Sequence, residues 1–202
     1  MSARVRLAPA ERREQLLGLG VQLMATRSLD ELSIDLLADE GGVSRGLLYH
    51  YFGNKQQFLL AVMQRMAADI YSATAPPDHG PLGDRLWRAL AAYVDYVARN
   101  HAAYLTFVQA ARGGNAHIRV IYDQSRAALT DRIFETATPE ELLEYGIVDS
   151  GLVRLFARSW GTMVEDATLA WLDDPAGVTR EELLMSLTLS LGGLLGAVSG
   201  DR

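Results

Sequence analysis

The sequence predicts an all-α fold in two parts: an N-terminal three-helix helix-turn-helix domain and a larger C-terminal helical domain. Three observations carry this. Apolar residues recur at helical spacing along nearly the whole chain, long alternating Val/Ile/Thr runs are missing, and helix caps alternate with Gly/Pro breakers. The boundary is placed at residues 55/56, giving 1–55 and 56–202.

A first helix is expected over about 9–27, with Pro9 in its first turn, where a missing N–H costs little. Its apolar stripe is Leu16, Leu19, Gly20, Leu23 and Met24. Ser33 suits the N-cap of a short second helix, about 34–40, which Gly41-Gly42 stops. Ser44 caps a third, about 45–51, and Asn54 a long fourth running to about 73. The breaker Ala-Pro-Pro-Asp-His-Gly-Pro at 75–81 follows. Further helices are expected near 82–99, 101–111, 115–136 and 139–145, then two long ones at about 150–172 and 179–198.

Composition narrows the function. The chain has 202 residues, no cysteine and a formal net charge of −6. Disulfides and thiolate metal sites are excluded, which fits a reducing cytoplasm. No signal-peptide pattern opens the sequence, and the most apolar run, 183–198, is shorter than the roughly 20 residues of a bilayer span. The charge is uneven. Residues 1–65 carry eight Lys/Arg against seven Asp/Glu, and residues 66–202 carry eleven against eighteen. Only the first part can approach a polyanion cheaply.

The chemistry concentrates in GGVSRGLLYHYFGNKQQF, residues 41–58. Two short helices joined by a Gly-containing turn match a helix-turn-helix. At 100° per residue, Arg45, Gly46, Tyr49 and His50 share one arc, with Leu47, Leu48 and Tyr51 opposite. Arg45 suits guanine O6/N7, Tyr49 and His50 suit phosphate and a thymine methyl, and Gly46 allows close backbone approach. Ser44 and the free N–H groups beside it suit a phosphate. Lys55, the only lysine, adds a second clamp. Arg4, Arg6, Arg12 and Arg13 are candidates for a phosphate-binding arm.

The stretch SIDLLADEGGVSRGLLYHYFGNKQQFLLAVM resembles the DNA-binding segment of the tetracycline-repressor-like (TetR) family of bacterial transcription regulators. The resemblance covers about 12–63, and its core is Gly42 to Gly46, Leu48 to Phe52 and Lys55. It implies a homodimeric repressor whose N-terminal domain reads a palindromic DNA operator and whose C-terminal domain binds a small-molecule effector. The expected DNA contacts are Ser33, Ser44, Arg45, Gly46, Leu47, Tyr49, His50, Tyr51 and Lys55. Three positions depart from the family pattern: Leu47 where a small polar residue is usual, Ser28 where glycine is common, and Met24 where an aromatic is frequent.

Candidate effector contacts are Tyr93, Phe107, Tyr122, Trp160 and Met163, drawn from a larger aromatic set that includes Trp87 and Phe156. Glu165 and Asp166 are candidates for orienting a cationic or hydroxylated ligand. The leucine surplus of the last helix, Leu184, Leu187, Leu191, Leu194 and Leu195, suggests a twofold four-helix dimer interface. No catalytic motif and no metal-ligand spacing is present, so no enzyme, metal or cofactor is expected. The competing reading is an all-helical small-molecule-binding protein or enzyme with an incidental helix-turn-helix.

Overall fold

The computed structural model describes residues 8–199. Arg4 and Arg6 of the expected arm lie outside them. Ten helices follow one another: α1 (Pro9–Met24), α2 (Ile34–Gly41), α3 (Arg45–Phe52), α4 (Lys55–Ala73), α5 (Leu82–Arg99), α6 (His101–Arg112), α7 (Ala116–Thr136), α8 (Pro139–Glu144), α9 (Gly151–Asp173) and α10 (Arg180–Ser199). No strand occurs among the described residues.

The chain forms two compact units. Among the described residues, the first holds those up to 67 and 102–122, and the second holds 68–101 and those from 123 onward. The boundary expected at 55/56 therefore falls inside the first unit, because the first half of α4 belongs to its core. Phe58, Val62, Met63 and Met66 are buried there with Leu16, Leu17 and Met24 of α1. Gly20 brings α1 and α4 together: a Cβ at that position would lie 2.5 Å from Val62 Cγ2 and 2.8 Å from Phe58 Cζ. The buried stripe of α1 is turned from the expected one, with Leu17 in the core and Leu19 half-buried. α1 also ends at Met24, three residues early, as Ala25 and Thr26 switch to tighter bonds from their N–H groups to the Gln22 and Leu23 carbonyls. The Thr106 hydroxyl donates to the Met24 carbonyl at 3.1 Å, which ties α6 to that end.

In the second unit α10 packs on α9 and α5. The Trp160 indole N–H donates to the Leu187 carbonyl at 3.1 Å and to Ser190 Oγ at 3.0 Å. Arg180 Nε donates to Asp95 at 2.9 Å. The expected free interface fails for four of its five leucines: Leu184, Leu187, Leu191 and Leu195 are buried within the chain itself, whereas Leu194 is half-buried. The outward apolar side chains are Leu152, Leu155 and Met163 on α9 and Met185 and Leu189 on α10. α10 is long and apolar enough to cross a membrane by length and composition, but its inner leucines serve this core.

Candidate nucleic-acid interface

The turn between α2 and α3 is built from Gly42, Val43 and Ser44. Gly42 takes the left-handed conformation (φ 58°, ψ 36°), which only glycine enters without strain. The Val43 N–H then reaches back to the Ala38 carbonyl at 3.0 Å, closing α2 with a Schellman bond. Ser44 restarts the chain as an N-cap, its Oγ accepting from the Leu47 N–H at 3.2 Å. Ser33 does the same for α2, accepting from Leu36 N–H at 3.1 Å.

Leu48 and Phe52 anchor α3. Leu48 is fully enclosed, and Phe52 meets Phe58 edge-to-face at 4.9 Å with the Arg13 guanidinium 5.5 Å from its ring. With that face fixed, Ser44, Arg45, Gly46, Tyr49 and His50 all stand exposed on the opposite side. Tyr49 is 51% exposed. Leu47 and Tyr51 are half-buried and not turned fully inward as the 100° wheel places them. The His50 ring lies 5.5 Å from that of Tyr51, inclined to it at 62°.

Two contacts carry no sequence signal. Arg45 Nε pairs with Asp35 Oδ1 at 2.6 Å, between two exposed side chains. Lys55 Nζ donates to the Asp30 carbonyl at 3.0 Å, which holds its charge beside the α1–α2 loop. Asn54 Oδ1 caps α4 through Gln57 N–H at 2.9 Å, as its position predicts. Ser28 fills its non-glycine place by bonding Glu31 through both N–H and Oγ, at 2.8 and 2.9 Å. Those bonds, the backbone one first, hold the Glu31 carboxyl below its usual pKa.

The expected effector contacts are divided between the two units. Tyr93 and Trp160 are buried in the second unit, and Phe107 and Tyr122 meet edge-to-face at 5.7 Å in the first. Met163 is 43% exposed on the outer side of α9. Glu165 is buried and Asp166 exposed. A cavity of about 510 Å³ lies in the second unit and is lined by none of the five; Trp87, Ile147, Leu191 and Gly192 are among its walls. Among the described residues no group of three His, Asp or Glu side chains could hold a metal ion.

Comparison with known proteins agrees with this geometry. Residues 16–62 match the family model described as bacterial regulatory proteins, tetR family. Residues 82–191 match the tetracyclin repressor-like C-terminal domain. An uncharacterized HTH-type transcriptional regulator of Mycobacterium tuberculosis is 32% identical over 174 residues, covering 83% of this chain and 70% of that protein. The HTH-type transcriptional activator FasR of Mycolicibacterium smegmatis is 23% identical over 192 residues, covering 94% and 85%. A tetR-family regulator crystal structure from Streptomyces coelicolor superposes with a TM-score of 0.74 at 33% identity, covering 96% of this chain and 83% of that one.

Proposed function

Because this chain belongs to the tetR family of bacterial regulatory proteins, and is thus a DNA-binding transcriptional regulator, we propose that it is a cytoplasmic homodimeric repressor released from a palindromic operator by a small-molecule effector. The observation that carries the DNA half is the exposed arc Ser44-Arg45-Gly46 with Tyr49 and His50, held outward by buried Leu48 and Phe52. Arg45 reads a guanine edge, the two aromatic tips meet phosphate and thymine methyl, and the Ser44 hydroxyl and first-turn N–H groups of α3 hold a phosphate.

The dimer half is supported by the outward side chains of α9 and α10. Leu152, Leu155, Ser159 and Met163 recur at three- and four-residue spacing on the solvent side of α9. Met185, Leu189 and Gly193 do so on α10. Two recognition helices must sit about 34 Å apart to meet successive major-groove faces, so pairing through such a surface gives the protein its palindrome. The effector acts by linkage. A ligand that favours a wrongly spaced pair weakens operator binding by its differential affinity, typically about 1–3 kcal/mol.

FasR is named an activator, yet repression needs only that the bound dimer occupy the promoter, and that is the simpler use of this geometry. Selection of bound duplexes from a random pool tests the reading. It should return a palindrome, and adding candidate metabolites should lower its recovery. Recovery of no sequence at low salt would refute it. Turnover of a small molecule without affinity for duplex DNA would favour the enzyme reading instead.

A further inference from the structure

The second unit holds two buried guanidinium groups that DNA binding does not use. Arg85 in α5 and Arg132 in α7 are each 7% exposed. Arg85 donates to the Thr136 carbonyl at 3.0 Å and to Glu141 Oε2 at 2.8 Å, while its Nε is enclosed without a hydrogen-bond partner. Arg132 donates to the Tyr71 carbonyl at 2.6 Å, reaches Thr74 Oγ1 at 3.5 Å and lies 3.5 Å over the Tyr71 ring. Burial pushes its pKa down, while Tyr71 and Glu135 pull the other way. Arg85 thus pairs with Glu141 and Arg132 is drawn by Glu135, but the enclosed Nε of Arg85 is left without a partner. A buried donor without a partner is unfavourable, so the site is short of one acceptor, at Arg85 Nε.

Both guanidiniums line a cavity of about 40 Å³, together with Thr74 and Thr136. A water needs roughly 10–15 Å³ measured this way, so the space admits a few waters or one carboxylate. Leu82, Leu86 and Ile133 line this cavity and also the neighbouring one of about 510 Å³, so the two adjoin across those side chains. The larger one has apolar walls and a volume suited to a small organic ligand. Its polar groups offer an anion little. Asp84 is exposed and repels one, and the Thr188 hydroxyl already donates to the Leu184 carbonyl at 2.8 Å.

We propose that the two cavities form one effector site for an amphipathic monocarboxylate. The carboxylate occupies the inner cavity against Arg85 Nε and Arg132, and the apolar body occupies the larger one. Guanidinium groups suit this role because their planar donor fork matches a carboxylate. The inference rests on the reading of the second unit as the effector-binding part of a regulator.

Calorimetric titration of the full-length protein without DNA tests it, using decanoate below its micellar concentration, decanol, and acetate with inorganic phosphate, all at fixed ionic strength. Decanoate should saturate at one per chain, with decanol at least tenfold weaker and the small anions weaker still. Arg132→Gln should abolish the preference for decanoate over decanol. Gly192→Leu, where an added Cβ meets nothing within 4 Å, should block both while leaving the thermal melt intact. Equal affinity for decanoate and decanol overturns the proposal, as do acetate or phosphate matching decanoate, or no saturable binding. If Arg132→Gln fails to fold, the decanoate–decanol comparison in the unaltered protein still decides. Decanoate binding with unchanged operator affinity removes the effector role. A failure of the DNA-binding reading shows separately, as no duplex selected in the absence of any ligand.

Discussion

Arg45 has a carboxylate 2.6 Å away in the free protein and, in the proposed complex, the O6 and N7 acceptors of guanine. The exposed Asp35 pair is worth at most about 1 kcal/mol, whereas a bidentate base contact is worth about 1–3 kcal/mol, so the base wins. Asp35 then opposes binding twice, as a competitor for Arg45 and as a negative charge close to the DNA. Asp35→Asn should tighten operator binding by roughly two- to fivefold, more at low salt, which fluorescence anisotropy across a salt series will show. Arg45→Ala should lose about 1–3 kcal/mol of preference at one base position, while Lys55→Ala should weaken all sequences alike and lower the salt slope by about one. The outward placement of Arg45, Tyr49 and His50 is legible in the sequence because the 100° increment and buried Leu48 fix the direction of α3. Asp35 is not legible, since its meeting with Arg45 depends on how α2 and α3 cross after the Gly42 turn. Lys55 reads as a free cation, but the Asp30 carbonyl that holds it is 25 residues away.

Many helix starts are legible, because Ser33, Ser44 and Asn54 cap the backbone by local chemistry that needs no tertiary knowledge. The packing partners of those helices are not. Gly20 reads as one member of an apolar stripe, yet its importance lies in the absence of a side chain where α1 meets Val62 and Phe58. Both of those residues are fully enclosed and cannot retreat. Gly20→Ala gains up to about 1 kcal/mol of helix propensity and meets an overpacking cost of about 1–3 kcal/mol. The clash should prevail, with net destabilisation of about 1–2 kcal/mol in urea unfolding at unchanged m-value. Gly18→Ala, where an added Cβ meets nothing within 4 Å, should instead be neutral or stabilising. The inclusion of residues 102–122 in the first unit had no sequence signal either, for the Thr106 bond to Met24 spans 82 residues.

At the scale of the whole molecule, the apolar surplus of α10 is plain in the sequence, but its direction is not. Leucines at 183, 184, 187, 189, 191, 194 and 195 surround much of the helix, so periodicity alone cannot separate a core face from a partner face. The structure separates them: Leu184, Leu187, Leu191 and Leu195 turn inward, and Met185 and Leu189 turn outward at 56% and 69% exposure. If α9 and α10 pair two chains, a charge on the outward set should split the dimer without unfolding the chain. Leu155→Glu is the cleanest choice, being 60% exposed on α9 and absent from both cavities of the proposed effector site. It should sediment as a monomer with its helical signal and melting transition retained, and its operator affinity should fall by at least 100-fold, toward that of a single recognition helix. Leu187→Glu buries an unpaired carboxylate in the core and should unfold the chain, costing several kcal/mol. A Leu155→Glu protein that remains dimeric and holds its operator as before would place the pairing surface elsewhere on the chain.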